Sequence, residues 1–398
     1  MREFKPTGSH RHARLKATKD HEPGCQIQKL AAEIISRSDA AHPADAVLRQ
    51  ELRKWRQLAP EFKRAVSRAI FGYYRWLGWQ EGRLPLQAQI RRALELDEKF
   101  RLNPGSFLDE ELISKAVPAW VSDEMEVSAP WVRALQTEPK LWLRSRPGQA
   151  VALAETLGEC WVPGQAPLED ALIYQGTEDL FQTAEFHAGA FELQDISSQA
   201  VSVLCDPQPG QTWWDACAGE GGKLLHLSDL MKNQGLIWAS DRAEWRLQKL
   251  KRRAARAKVF NYRAAPWDGG IRLPTKTKFD GVLLDAPCSG IGTWHRNPHA
   301  RWTTTPGDVL EISEIQQRLL ANASKALKPG GKIIYAVCAL ARAETTEVVA
   351  AFEKQFPDFK PIELMNPFKP NQRGQPHLWF WPQECHGNGM FVAGWKKL

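Results

Sequence analysis

Hydrophobic positions along the chain change their period twice. Between Ile27 and Trp79 they recur at steps of three and four: Val47, Leu48, Leu52 and Trp55, then Phe62, Val66, Ile70 and Tyr74. That spacing lays one apolar stripe along a helix, and Pro60 divides the stretch into a helix pair. Further helices are predicted over 84–100 and 108–115. From 137 to 190 the pattern shortens. "KLWLRSR" reads as a strand, "GQAVALAETLGE" as a helix and "DALIYQG" as a strand, the outline of a small α+β module. After Phe191 short apolar runs alternate with helical stretches: "TWWDACA", a helix near 221–233, "LIWASD", a helix over 243–257, "KVFNYR", "FDGVLLDA", a helix over 308–327, "KIIYAVC" and a helix over 343–355. This alternation implies a parallel sheet with helices on both faces. Residues 1–26 show no period and read as a flexible basic tail. The predicted organisation is that tail, a helical domain over 27–130, an α+β linker module over 131–188 and an α/β domain over 189–398.

In a parallel sheet of this kind ligands bind beyond the C-terminal ends of the strands. The informative residues fall there. The first strand of the α/β region runs into Asp215-Ala216-Cys217-Ala218-Gly219-Glu220-Gly221-Gly222-Lys223. Glycines let a backbone turn tightly and approach a ligand, and the helix that follows offers free N–H groups. The GxxxxGK[ST] spacing is absent, so the loop is not a P-loop. The second strand ends at Asp241, which can accept from ribose hydroxyls or cap the helix near Arg242. Loop and acid together favour a nucleoside-bearing cofactor. The fourth strand ends at Asp285, followed by Cys288 in a Pro-Cys-Ser-Gly turn, and the fifth ends at Cys338. One cysteine alone would most simply be a small packing residue. Two at neighbouring strand ends beside a carboxylate point to chemistry.

Composition narrows the class. The 398 residues suit two or three domains, and no apolar run approaches the roughly 18 residues of a membrane span. Met1-Arg2-Glu3-Phe4-Lys5 has no apolar core, so no secretory signal is expected. The seven cysteines contain no CxxC pair. That argues against a disulfide framework and a zinc site, and a reducing, cytoplasmic setting without a metal is expected. The net charge of +7 is concentrated: residues 1–100 carry 20 Lys/Arg against 12 Asp/Glu. A basic face either attracts phosphate backbones or is a solvated helix surface. Most of the 17 tryptophans are expected in the core, with exposed ones free to stack on unpaired bases.

The strand-end segments carry a resemblance. "DAPCSG" (285–290) with the downstream "GTWHRNPHARW" (292–302) resembles the fourth motif of the RNA cytosine-C5 methyltransferases, the Sun/nucleolar family. "DACAGEGGK" (215–223) resembles their S-adenosylmethionine loop and "LQDISSQ" (193–199) the segment before it. "LKPGGKIIYAVCAL" (327–340) resembles their sixth motif and "GNGMFVAGWKK" (387–397) their C-terminal strand pair. More loosely, 27–115 resembles the helical RNA-binding module of the bacterial small-subunit ribosomal RNA methyltransferase B group, a module similar to the antitermination factor NusB.

The resemblance implies a Rossmann-like class I S-adenosylmethionine-dependent methyltransferase sheet, preceded by an all-α NusB-like domain and the small α+β module. It implies S-adenosyl-L-methionine as cofactor, held by Cys217, Ala218, Gly219, Glu220, Gly221, Gly222, Lys223, Asp241 and Asp285. It implies 5-methylcytidine as product, formed on an unpaired cytidine of ribosomal RNA by an enzyme taken as a monomer. Carbon 5 of cytosine is a poor nucleophile, and adding a thiolate at carbon 6 activates it. By resemblance Cys338 attacks, Cys288 helps release the product and Asp285 holds the cytosine edge. Lys223 would support the cofactor loop or the local charge balance. DNA cytosine methyltransferases attack with the cysteine of a Pro-Cys turn, so chemistry alone would also allow Cys288 to attack. The second cysteine at the fifth strand favours the RNA-type assignment.

Three departures bear on activity. Gly219 and Glu220 replace the family's Ala and Pro, Val337 and Ala339 replace the Thr and Ser around Cys338, and no acid ends the third strand near Arg263. They leave room for a catalytically weak RNA-binding assembly factor, and transfer RNA is an alternative substrate. "HRNPHARW" (295–302) is the expected contact to the substrate strand. "RAEWRLQKLKRRAARAK" (242–258) is a solvated face or a phosphate track.

Overall fold

The computed structural model describes residues 23–55, 57–80, 82–163 and 166–398. Most of the expected tail, 1–22, lies outside them. Residues 23–26 do not belong to a tail: they open the first helix, Pro23–Ser36. The described chain forms two units by its contacts.

The first unit is helical and runs to Ala119, with Ser128–Thr137 and Asn297–Thr304 added from later in the chain. Its main helices after the first are Ala44–Lys54, Pro60–Arg75, Leu86–Leu102, Asp109–Lys115 and Ala129–Leu135. Prolines mark three of the starts: Pro43 and Pro85 immediately before a helix and Pro60 at its first position. There the fixed φ of proline is pre-organised and its missing N–H costs nothing. Of the stripe read from the sequence, Val47, Leu48, Val66, Ile70 and Tyr74 are buried and Leu52, Trp55 and Phe62 half-buried.

The second unit comprises Trp120–Val127, Glu138–Arg296 and Thr305–Leu398. It holds two sheets. The smaller is antiparallel, in the order β2-β3-β1-β4, from β1 (Leu141–Ser145), β2 (Cys160–Trp161), β3 (Ala171–Tyr174) and β4 (Phe191–Leu193). β4 falls after residue 188, where the linker module was expected to end, yet it pairs with β1, Arg144 opposite Glu192.

The larger sheet is built from β5 (Thr212–Asp215), β6 (Leu236–Ala239), β7 (Tyr262–Ala264), β8 (Phe279–Asp285), β9 (Leu327–Val337), β10 (Phe359–Pro361), β11 (His377–Phe380) and β12 (Met390–Lys397). Its order is β10-β12-β9-β8-β5-β6-β7, with β11 also pairing β12. β5 to β9 are mutually parallel where they pair, and β12 runs antiparallel to β9. Alternate residues of a strand face opposite sides, and both sides are covered. Trp213, Ile237, Leu283 and Ile334 pack into one core layer, and Trp214, Val282, Leu284 and Tyr335 into the other. Strands buried on both faces read as continuous apolar runs, as "GVLL" and "KIIYAV" do. The chain passes from β5 outward through β6 and β7 and then crosses to β8 on the other side of β5. That reversal opens a crevice at the C-terminal ends of β5 and β8. Among the described residues no helix is long and apolar enough to cross a membrane, and no group of three or more His, Cys, Asp and Glu is placed to hold a metal.

Candidate active site

The sheet register levels the strand ends. Asp215 lies opposite Leu283 and Ala239, and Asp285 lies opposite Ala336. Cys338 therefore emerges two residues past the Asp285 level, and the turn after Asp285 folds back toward it. Gly292 N–H donates to the carbonyl of Cys338 at 3.0 Å. The sulfurs of Cys288 and Cys338 come within 3.1 Å, both as free thiols. The hydrogen bond with Cys338, then burial, pushes the Cys288 thiol well above its ordinary value.

Lys223 sits one residue inside the helix Gly222–Leu230 and reaches across to Asp285. Its Nζ donates to Asp285 Oδ2 at 2.6 Å and to Ser198 Oγ at 3.3 Å. Burial pulls the ammonium down, but Asp285 beside it, with Cys338 and Asp215, more than offsets that, and the net shift is upward. Lys223 stays charged among these groups.

The loop before that helix is shaped by its glycines. Gly221 has φ +89°, a conformation costly to any residue with a side chain. A Cβ there would also meet Leu250 Cγ at 2.7 Å. Ala218 N–H donates to Ser240 O, and Gly219 N–H donates to Asp241 Oδ2 at 3.0 Å. Asp241 Oδ1 accepts from Ala243 N–H at 2.7 Å. Asp241 thus closes a turn onto Ala243, the residue before the helix Glu244–Arg256, and pins the loop while lining the cleft; it is not the N-cap of that helix. Glu220 turns its carboxylate to the rim, where Lys249 holds it at 2.7 Å and Arg253 donates to its carbonyl. Cys217 is half-buried, its thiol pushed well up by burial and by the carboxylates of Asp215, Asp285 and Asp241.

Every predicted site residue except Gly221 lines one open cleft of about 1030 Å³. Gly221 sits in the same loop, where only a residue without a side chain clears Leu250. Sequence reasoning missed Asp215. It is fully buried, neither carboxylate oxygen has a hydrogen-bond partner, and it lines the cleft. Burial, then the charge of Asp285, raises its pKa to about 8. The only sequence signal was its place at a strand end. Trp267 and Asp268, beyond β7, also line the cleft, whereas Arg263 does not and has its guanidinium over the Trp238 ring.

"HRNPHARW" turns most of its basic side chains inward and leaves Arg296 exposed. His295, His299 and Arg301 are buried, and Arg296 bonds Asp195 and the carbonyl of Lys140. Arg301 donates to the carbonyls of Arg75, Ala116 and Leu135 within the helical unit. Those carbonyls close the C-terminal ends of three helices, where partial negative charge collects. The segment's place directly after the Asp285 turn suggested a contact to RNA; the burial of three of its four basic side chains does not support one through them. Within 242–258, Arg253 and Arg256 are drawn inward to Glu192, so that helix is not simply a solvated face.

The cleft fits S-adenosylmethionine on its own residues. The buried Asp215 carboxyl offers an uncommitted polar group, Asp241 a hydrogen-bond acceptor, and Ile312, Ile315, Leu319 and Trp267 an apolar wall. Its volume reaches the top of the usual range for ligand pockets, roughly 300–1,000 Å³, which leaves space for a base beside the cofactor.

Comparison with known proteins decides the family. Residues 202–396 match the family model described as 16S rRNA methyltransferase RsmB/F. A probable ribosomal RNA small subunit methyltransferase B from Synechocystis sp. is 34% identical over 338 residues, which are 78% of this chain and 74% of that protein. The chain belongs to the 16S rRNA methyltransferase RsmB/F family. It is an S-adenosylmethionine-dependent RNA cytosine-C5 methyltransferase, as the motif resemblance implied. The crystal structure of PH0851 shares its fold, with a TM-score of 0.74 at 21% identity over 94% of this chain and 99% of that chain. The structure of NSun6 from Pyrococcus horikoshii with SFG matches with a TM-score of 0.50 at 26% identity, covering 58% of this chain and 60% of that one. The RsmB/F assignment brings the expected α/β methyltransferase sheet and cofactor with it.

Proposed function

We propose that this enzyme methylates carbon 5 of an unpaired cytidine in small-subunit ribosomal RNA, with Cys338 as nucleophile, Cys288 in product release and Asp285 at the base. The observation that carries this reading is the 3.1 Å approach of the two sulfurs beside the Asp285–Lys223 pair. The base leaves its stack to reach them. Asp285 Oδ2 is taken by Lys223, which leaves Oδ1 for the cytosine edge. Lys223 is a positive charge among Asp285, Cys338 and Asp215. Cys288 keeps its proton and donates it toward the Cys338 sulfur. The thiolate forms a bond to carbon 6, and the ring's electron pair becomes available at carbon 5. S-adenosylmethionine supplies the electrophilic methyl group for that carbon. Once Cys338 is bound to carbon 6, the hydrogen bond that held the Cys288 thiol protonated is gone; Cys288 then releases its proton to solvent, and its thiolate takes the carbon-5 proton. The C–H electron pair restores the ring double bond as the Cys338–carbon-6 bond breaks.

Asp215, Cys217, Gly219, Gly222 and Asp241 bind the cofactor, and Gly221 keeps the loop close enough to do so. The helical unit, with its excess of Lys and Arg, binds RNA, and the protein works as a monomer in the cytoplasm, where its cysteines stay reduced.

The test is covalent trapping. Wild type, Cys288→Ala and Cys338→Ala are each mixed with labelled S-adenosylmethionine and unmethylated ribosomal RNA and run on a denaturing gel. Cys288→Ala should accumulate a protein–RNA adduct, and Cys338→Ala should transfer nothing. Methylation by Cys338→Ala would remove Cys338 as nucleophile. Transfer by wild type to transfer RNA alone would replace the substrate.

A further inference from the structure

Glu344 is fully buried in the short turn Arg342–Glu344 that follows Cys338. A buried carboxylate is costly unless its lone pairs are spent on donors. Here they are spent on one place. Oε1 accepts from the backbone N–H of Ser289 at 2.8 Å and from Gln316 Nε2 at 3.0 Å. Oε2 accepts from the Ser289 hydroxyl. Gln316 Nε2 also donates to the carbonyl of Pro287 at 2.9 Å. The residues on both sides of Cys288 are therefore held, and Cys288 itself is bracketed between them. Tyr335 completes the frame, donating at 2.7 Å to the carbonyl of Glu344, with Gln316 Oε1 3.0 Å from the same hydroxyl. Tyr335 belongs to β9, the strand that delivers Cys338.

We propose that Glu344 is a positioning residue: it ties the turn carrying Cys288 to the segment carrying Cys338 and so sets the two sulfurs at their working separation for product release. The inference rests on the roles given to the two cysteines above and adds what fixes their geometry. Cys338 gains its place from β9 and does not need Glu344 to reach a base. Cys288 lies in a turn with no regular structure of its own, and loses its place when Glu344 lets go. Weakening Glu344 should slow release more than attack, and the covalent RNA adduct should build up.

The experiment uses the full chain with Glu344→Gln and Ser289→Ala, beside wild type and Cys288→Ala, in the same trapping assay. Cofactor affinity is measured by calorimetry on each. Ser289→Ala removes the hydroxyl arm alone and decides the question should Glu344→Gln fail to fold. Expected are turnover down about tenfold, adduct raised at least about fivefold over wild type and cofactor affinity within about twofold, since small displacements at a reacting centre cost up to about a hundredfold. Cys288→Ala accumulating adduct while neither variant does would overturn the inference and leave the cysteine roles standing. Loss of adduct and of cofactor binding together would make Glu344 a general support of the fold, and would also overturn it. If Cys288→Ala itself gave no adduct, the cysteine roles would fall, and the inference with them.

Discussion

Asp215 makes the site's electrostatics measurable without any substrate. It is buried, unpartnered and surrounded by acids, and its pKa in the fold is raised to about 8. In the unfolded chain the same group titrates near 3.9. Between those values the folded state holds a proton that the unfolded state has released. Stability from this group is fully present below about pH 4, falls as pH rises and is lost by about pH 8. About four units at 1.36 kcal/mol each give ~5 kcal/mol above pH 8 and ~4 kcal/mol at pH 7. Asp215→Asn removes the titration while keeping the shape. Its own unpartnered carboxamide has a cost, but one that does not vary with pH. Urea unfolding of both proteins, followed by tryptophan fluorescence at each pH unit from 5 to 9, isolates the term. The stability of Asp215→Asn relative to wild type should climb by about 1.4 kcal/mol per pH unit up to pH 8 and then level. A difference that stays flat, or falls as pH rises, would mean that Asp215 is already ionised in the fold, and the account of the cleft's charge would be wrong.

Other consequences follow from single contacts. Arg301→Met leaves three helix-end carbonyls without their donor but also relieves burial of a guanidinium whose pKa is lowered to about 9; at about 1–3 kcal/mol per unmatched carbonyl, a net loss of about 2–4 kcal/mol in thermal unfolding is expected. Gly221→Ala forces a side chain into a left-handed residue and against Leu250; cofactor affinity by calorimetry should fall at least about tenfold, at a cost of roughly 1–3 kcal/mol. Lys223→Met strips Asp285 of its cation, so methyl transfer to RNA should drop at least about a hundredfold. Lys249→Ala breaks an exposed pair with Glu220, its partners half open to solvent; such pairs contribute about 0–1 kcal/mol, so cofactor affinity should change by less than about threefold.

The periodicity of the chain was enough to place the main helices before residue 115 and the alternation of strands and helices after Phe191, because an amphipathic helix and a doubly covered strand each leave their own repeat in the order of residues. It did not place the helix Ile196–Cys205 or the strands β4, β10 and β11. It placed the helix pair around Pro60, the alternation after Phe191 and the strand ends where Asp215, Asp285 and Cys338 lie. The motifs carried the chemistry because a thiol pair, a glycine loop and strand-end acids are residue types whose function depends on local backbone context. What no local pattern could contain is which side of a segment meets solvent. "HRNPHARW" carries the charges of a nucleic-acid contact, yet Arg301 is spent on helix ends contributed from far earlier in the chain. Asp215 looks like any strand-end acid until burial leaves it without a partner. Glu344 lies 55 residues from Ser289 and Cys288 lies 50 from Cys338, and only the parallel pairing of β8 with β9 brings those segments together. Such contacts depend on register and packing, which arise from the whole sheet at once, so they were decided by the tertiary structure.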